Sequence, residues 1–143
     1  MSVFRAELYS YVANLFTGFT KNIYRISIPE TLGADAITNG FMVLSMGEVR
    51  DYSEFGENAY AQARIYVQYY VPNASTSTAN GIMNTAKYDD AQKRIDAILE
   101  AEYNKINQPY TISRDDILST DDFYTNKTNS FSVYIKSFII TTN

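Results

Sequence analysis

The sequence predicts an α+β fold, with one curved, mainly antiparallel sheet, a long β-hairpin and two helices packed on one sheet face. Three observations predict it. Two stretches repeat apolar residues at steps of three and four, the mark of a helix with one buried side. Several others are rich in β-branched and aromatic residues, with side chains alternating at period two. Finally, the helical stretches stand apart from a largely antiparallel set of strands, which is the layout of an α+β domain.

The first helical stretch runs from Ser2 to about Thr17, with Phe4, Leu8, Tyr11, Val12, Leu15 and Phe16 on one side. Ser2 suits an N-cap, and Gly18 suits a stop. "NIYRISIP" then reads as a strand ended by Pro29, and "ETLGADAITNG" as a loop of some length. "FMVLSMGEVRDYSEF" is extended, with Gly47 marking a bulge or a close backbone approach. It pairs with "AYAQARIYVQYYVP" as an antiparallel hairpin. "PNASTSTANG" is a polar loop. The second helix spans Asn84 to about Asn104, with Tyr88, Ala91, Ile95, Ile98, Leu99 and Tyr103 on one side; Pro109 bars its continuation. Strands at "YTIS" and "SFSVYIKSFIITT" close the chain. With no internal repeat and no linker, residues 1–143 form a single domain.

Composition bounds the chemistry. At 143 residues with 45% hydrophobic and 20% charged, the chain is globular and can bury a core without staples. The absence of cysteine excludes disulfides and thiolate metal sites, and the absence of histidine excludes the usual general base and the histidine-containing triads. Neither a phosphate-cradling glycine loop nor an apolar run of the ~20 residues needed for a membrane span is present. The expectation is no enzyme, no cofactor and no membrane, in a protein made in the cytoplasm. A net charge of −4, with 12 scattered basic residues, disfavours tight nucleic-acid binding. Thirteen tyrosines and eight phenylalanines without tryptophan reflect either A+T-rich codons or contact surfaces that are part apolar and part wet.

Three acidic pairs remain: Asp89-Asp90, Asp115-Asp116 and Asp121-Asp122. The last two could share a hard cation such as calcium, but their spacing lacks the calcium-loop pattern with its central glycine. A solvated turn and a helix N-terminus explain them as well. They carry the one enzymatic alternative, a carboxylate-dependent enzyme using calcium, magnesium or manganese.

The alternation in "AYAQARIYVQYYVP" separates Ala59, Ala61, Ala63, Ile65, Val67, Tyr69 and Val71 from Tyr60, Gln62, Arg64, Tyr66, Gln68 and Tyr70. The second set resembles neither a dry core nor a charged surface. Three readings stand open: local cross-strand pairing, cover by the second helix, or contact with a neighbouring subunit. The candidate subunit interface is therefore Tyr60, Gln62, Arg64, Tyr66, Gln68 and Tyr70.

The layout resembles the tail-terminator, tail-completion and head–tail connector ring proteins of tailed bacteriophages. The pieces that carry the resemblance are "SVFRAELYSYVANLF", "NIYRISIP", the two hairpin strands, "NTAKYDDAQKRIDAILEAEYN" and "SFSVYIKSFIITT", in that order. The resemblance implies a structural virion protein of the neck or tail that forms a sixfold or twelvefold homo-oligomeric ring. It also implies neighbouring virion proteins as partners, with DNA only passing through the lumen. It carries over no catalytic residue and no cofactor. A small non-catalytic binding module or inhibitor is the alternative from another class.

Overall fold

The computed structural model describes residues 4–51, 61–73, 84–103, 105–115, 123–124 and 131–142. The chain runs α1 (Phe4–Phe16), β1 (Ile23–Arg25), α2 (Ala34–Asn39), β2 (Phe41–Asp51), β3 (Ala61–Pro72), α3 (Thr85–Glu102), β4 (Tyr110–Arg114), β5 (Phe123–Tyr124) and β6 (Phe131–Thr142). The strands form a six-stranded sheet in the order β1-β2-β3-β6-β4, with β5 also paired to β6. Among the described strands every pairing is antiparallel except β1 with β2. The fold is α+β, as the segregated periodicities predict.

The long strands β2, β3 and β6 make the centre of the sheet. Their apolar alternation puts Met42, Leu44, Ala61, Ala63, Ile65, Val67, Tyr134, Phe138 and Ile140 on one face. Against that face pack Leu8, Val12 and Phe16 of α1 and Tyr88, Ala91, Ile95 and Leu99 of α3. Both long helices thus cover the Ala/Ile/Val face of β3, which settles which face is the main core. The arrangement follows from the helical stripes, since each helix has one apolar side to bury and the sheet offers one dry face.

Differences from the sequence reading are local and have physical causes. The stretch expected to be a loop before β2 contains the short helix α2, which buries Ala36 in a second, smaller cluster. The strand expected across "NIYRISIP" stops at Arg25, because Ile26 takes a positive φ of 77°. The residues before Phe4, including the expected cap Ser2, lie outside the described residues. The C-terminus of α1 closes by Phe19 and Thr20 N–H groups donating to the Phe16 carbonyl at 2.9 Å. Gly18 sits in that turn, where a stop was expected, and its φ is not positive. Asn84 caps α3 as its Oδ1 accepts from the Lys87 N–H at 3.2 Å. Among the described residues no helix is long and apolar enough to cross a membrane.

Candidate subunit interface

The second face of β3 is the one left uncovered by the long helices. Register places Gln62 between Arg50 and Thr141, Arg64 between Gly47 and Ile139, and Tyr66 between Ser45 and Ser137. Further along, Gln68 lies between Val43 and Ile135, and Tyr70 between Phe41 and Val133. Tyr60 lies outside the described residues. The strip is not uniform: Gln62, Arg64, Tyr66 and Gln68 are half-buried, whereas Tyr70 is buried.

Tyr70 belongs to intrachain packing. Its ring stacks on Phe41 with centroids 4.5 Å apart and planes 7° from parallel, and Phe131 meets the pair edge-on. Ala36 of α2 and Leu32 join that cluster and close this end of the face. The Tyr70 hydroxyl donates to Gln68 Oε1 at 3.3 Å, and burial raises its pKa above the ordinary value.

At the other end, Arg64 is held by two carboxylates. Its Nε donates to Asp115 Oδ2 at 2.7 Å and its Nη2 to Asp115 Oδ1 at 3.3 Å, while Nη1 donates to Glu48. The Asp115 side chain is only 2% exposed, so the guanidinium neutralises a carboxylate withdrawn from water. Desolvation works against the arginine's charge. Hydrogen bonds with Asp115 and Tyr66, and the charges of Asp115 and Glu48, outweigh it and hold the pKa above its ordinary value.

Two backbone features build this cluster. A β-bulge shifts the register between Gly47 and Arg50, so Glu48 and Val49 together oppose Ala63. Glu48 takes the positive φ of 51°, its carboxylate reaches Arg64, and Val49 packs on the main core. Gly47 serves close approach: a Cβ there would stand 3.1 Å from the Tyr66 ring. The ring therefore lies across the glycine, a cross-strand contact that fills the space a side chain would take. The sequence marks Gly47 for a bulge or a close approach, and both occur, with the unusual φ one residue further on.

The acidic pairs divide. Asp89 and Asp90 are exposed on α3, Asp115 is engaged by Arg64, and Asp116, Asp121 and Asp122 lie outside the described residues. Among the described residues no group of three or more metal-ligating side chains is placed to hold an ion.

A concave surface that sequence reading missed lies on the helix side. A cleft of about 460 Å³ is lined by Phe19, Asn39, Tyr69, Val71, Pro72 and the first half of α3. Phe19 packs on Tyr69 with centroids 4.8 Å apart, and the Arg94 guanidinium lies 4.6 Å from the Phe19 ring centre. The Tyr69 hydroxyl donates to the Asn39 carbonyl at 3.1 Å. The available signal was a tyrosine in an otherwise aliphatic alternation.

The sequence matches no protein-family model and no curated protein.

Proposed function

We propose that this chain is a structural component of a tailed-bacteriophage virion, a ring-forming head–tail connector or tail terminator at the neck or tail. The observation that carries the reading is the layout: an N-terminal helix, a short strand, a long hairpin, a helix on the sheet and closing strands, in the order of that family. Support comes also from the open sheet, whose long helices lie on one face and leave Gln62, Tyr66 and Gln68 half-buried on the other. In this reading those three side chains meet the next subunit. Arg64 and Tyr70 hold the strip in shape from within, through Asp115, Glu48 and Phe41. Head-to-tail contacts of identical subunits close into a ring when the rotation per subunit permits. The acidic balance of −4 suits a lumen past which DNA moves without adhering.

The test is the native mass of the purified chain at rising concentration, with negative-stain images of the same samples. Closed rings are expected, alone or on addition of a neighbouring neck or tail protein. A discrete two-fold dimer in all conditions overturns the reading. A binding module acting as a monomer is the second reading, favoured by Ile26, which stands 72% exposed on a short edge of the sheet.

A further inference from the structure

We infer that the segment 26–30 of one copy docks into the α3 cleft of the next copy. The inference rests on the self-association in the proposed function and names the surfaces that would make it. Ile26 occupies the centre of a three-residue turn, in which the Ser27 N–H donates to the Arg25 carbonyl at 2.9 Å with φ of 77° at Ile26. This positive-φ turn is rare and strained, and a β-branched residue is the least suited to it. The turn is nevertheless fixed from both sides. The Ile26 N–H donates to the Leu44 carbonyl at 2.7 Å, and Arg25 Nη2 donates to Ser10 Oγ of α1 at 3.1 Å.

The consequence is a rigid apolar projection. Ile26 is 72% and Ile28 41% exposed, and neither belongs to either apolar cluster of the described residues. Folding alone gives no return for holding a strained isoleucine in water, so the turn points to a contact made outside the chain. Exposed Glu30 follows two residues after Ile28 and has no ion-pair partner among the described residues.

The cleft has matching character. Its volume of about 460 Å³ falls in the range of binding pockets, and Phe19, Tyr69, Val71 and Pro72 give it an apolar floor. Lys87, Asp90 and Arg94 of α3 also line it, with one net positive charge, and none of them has an ion-pair partner among the described residues. An apolar segment ending in an acid thus fits an apolar cleft with basic residues among its lining. In a chain of net charge −4, such local complementarity is what lets copies approach each other. Projection and cleft are different patches, so the contact is heterologous and continues from copy to copy.

Complementation between two variants tests it, read by native mass at rising concentration. Ile26→Asn keeps a residue that tolerates positive φ and removes the apolar projection, leaving the cleft intact. Ala86→Trp, at an exposed position lining the cleft, fills the cleft and leaves the projection intact. Each variant alone is expected to self-associate at least tenfold more weakly than the parent chain. Mixed, they are expected to form pairs of one chain each and to stop there, because the pair has no further projection and cleft to offer. A mixture that stays monomeric, or a variant that assembles like the parent, overturns the contact. Parent assembly unchanged by both substitutions removes this contact and leaves the ring reading standing. A parent chain that never self-associates, even with neck or tail proteins present, removes both. The fold of each variant is checked by circular dichroism and its melting temperature.

Discussion

Arg64 Nε donates to Asp115 Oδ2 at 2.7 Å, tying the middle of β3 to the end of β4 across the intervening β6. The arginine serves its own fold before any partner, since Nε, Nη1 and Nη2 are each engaged by a carboxylate. Replacing it by glutamate would set three carboxylates against each other around a buried Asp115. Arg64→Glu should therefore lower the melting temperature by many degrees, seen by circular dichroism, and not merely block assembly. Arg64→Lys should recover only part of the loss, because an ammonium cannot reproduce the planar fork that meets Asp115 twice. A melting temperature unchanged by Arg64→Glu would remove the brace from this account.

Gly40 is the described glycine whose backbone leaves no room for substitution. Its φ is +99°, and an added Cβ would stand 2.6 Å from the Tyr70 carbonyl oxygen and 2.7 Å from the Tyr69 hydroxyl. Strain and overlap together should cost roughly 2–4 kcal/mol in Gly40→Ala. Gly18→Ala is the matched control, since its Cβ meets nothing within 4 Å and its φ is not positive. It should be neutral or stabilising by up to about 1 kcal/mol. Urea denaturation of the two variants beside the parent chain decides it, and equal midpoints for both variants would refute the assignment.

How far the sequence could be read depends on whether a feature repeats along the chain. The alternation from Ala61 to Val71 and the stripe Tyr88, Ala91, Ile95 and Leu99 are periodic, and both turned out to line the main core. Helix α2 was hidden because six residues, "ADAITN", give too short a window for a helical period. Its reason to exist is tertiary, as Ala36 fits against Phe41 and Tyr70. The end of β1 was equally hidden, since nothing in "YRIS" announces a positive φ at Ile26. On the candidate interface, alternation identified the strip but not its partners. Asp115, 51 residues from Arg64, and Phe41, from the neighbouring strand, meet it only through the sheet order.

Asp35 gives the fold a dependence on acid. Its Oδ2 accepts from Asn22 Nδ2 at 2.6 Å and its Oδ1 from Asn39 Nδ2 at 2.8 Å, joining both ends of α2 to the chain before β1. The hydrogen bonds from Asn22 and then Asn39 hold its pKa below the ordinary value of 3.8. A carboxyl with a lowered folded pKa contributes stability that is present above 3.8 and lost as pH falls through the folded value. Asp35→Asn should therefore be less stable than the parent at neutral pH, with the gap narrowing in acid below that range. Melting temperatures of both proteins across acidic pH check this, and a gap that stays constant would show the carboxylate's charge to be irrelevant.

Tyr134 joins the core to a carboxylate on α3. The residue is 2% exposed, and its hydroxyl donates to Asp96 Oδ1 at 2.5 Å, while Lys136 Nζ stands 3.7 Å from the same oxygen. Tyr134→Phe keeps the ring against Tyr88 and removes the hydroxyl that donates to Asp96. A hydrogen bond to a charged acceptor is worth about 1.5–3 kcal/mol, and Lys136 still partners Asp96, so the lower end is expected. Chemical denaturation gives the value, and a loss indistinguishable from zero would mean that the lysine alone satisfies the carboxylate.

Tyr66 and Gln68 are the positions at which assembly and folding can be separated. Tyr66 covers Gly47, yet it stays half-buried, and Gln68 lies between Val43 and Ile135 with its amide oxygen taking the Tyr70 hydroxyl. Neither supports the main core, which lies on the opposite face of the sheet. Tyr66→Ala should cost up to about 1 kcal/mol of stability, the scale of one cross-strand pair. The combined variant Tyr66→Ala, Gln68→Ala should remain folded and should self-associate at least tenfold more weakly, because aromatic side chains concentrate binding energy at interface centres. Sedimentation at matched concentrations, paired with melting curves, reads the two effects apart. A folded variant whose native mass equals that of the parent would take the second face of β3 out of the interface. Within the proposed ring, the contact would then fall to the projection of Ile26 or to the edges β1 and β4.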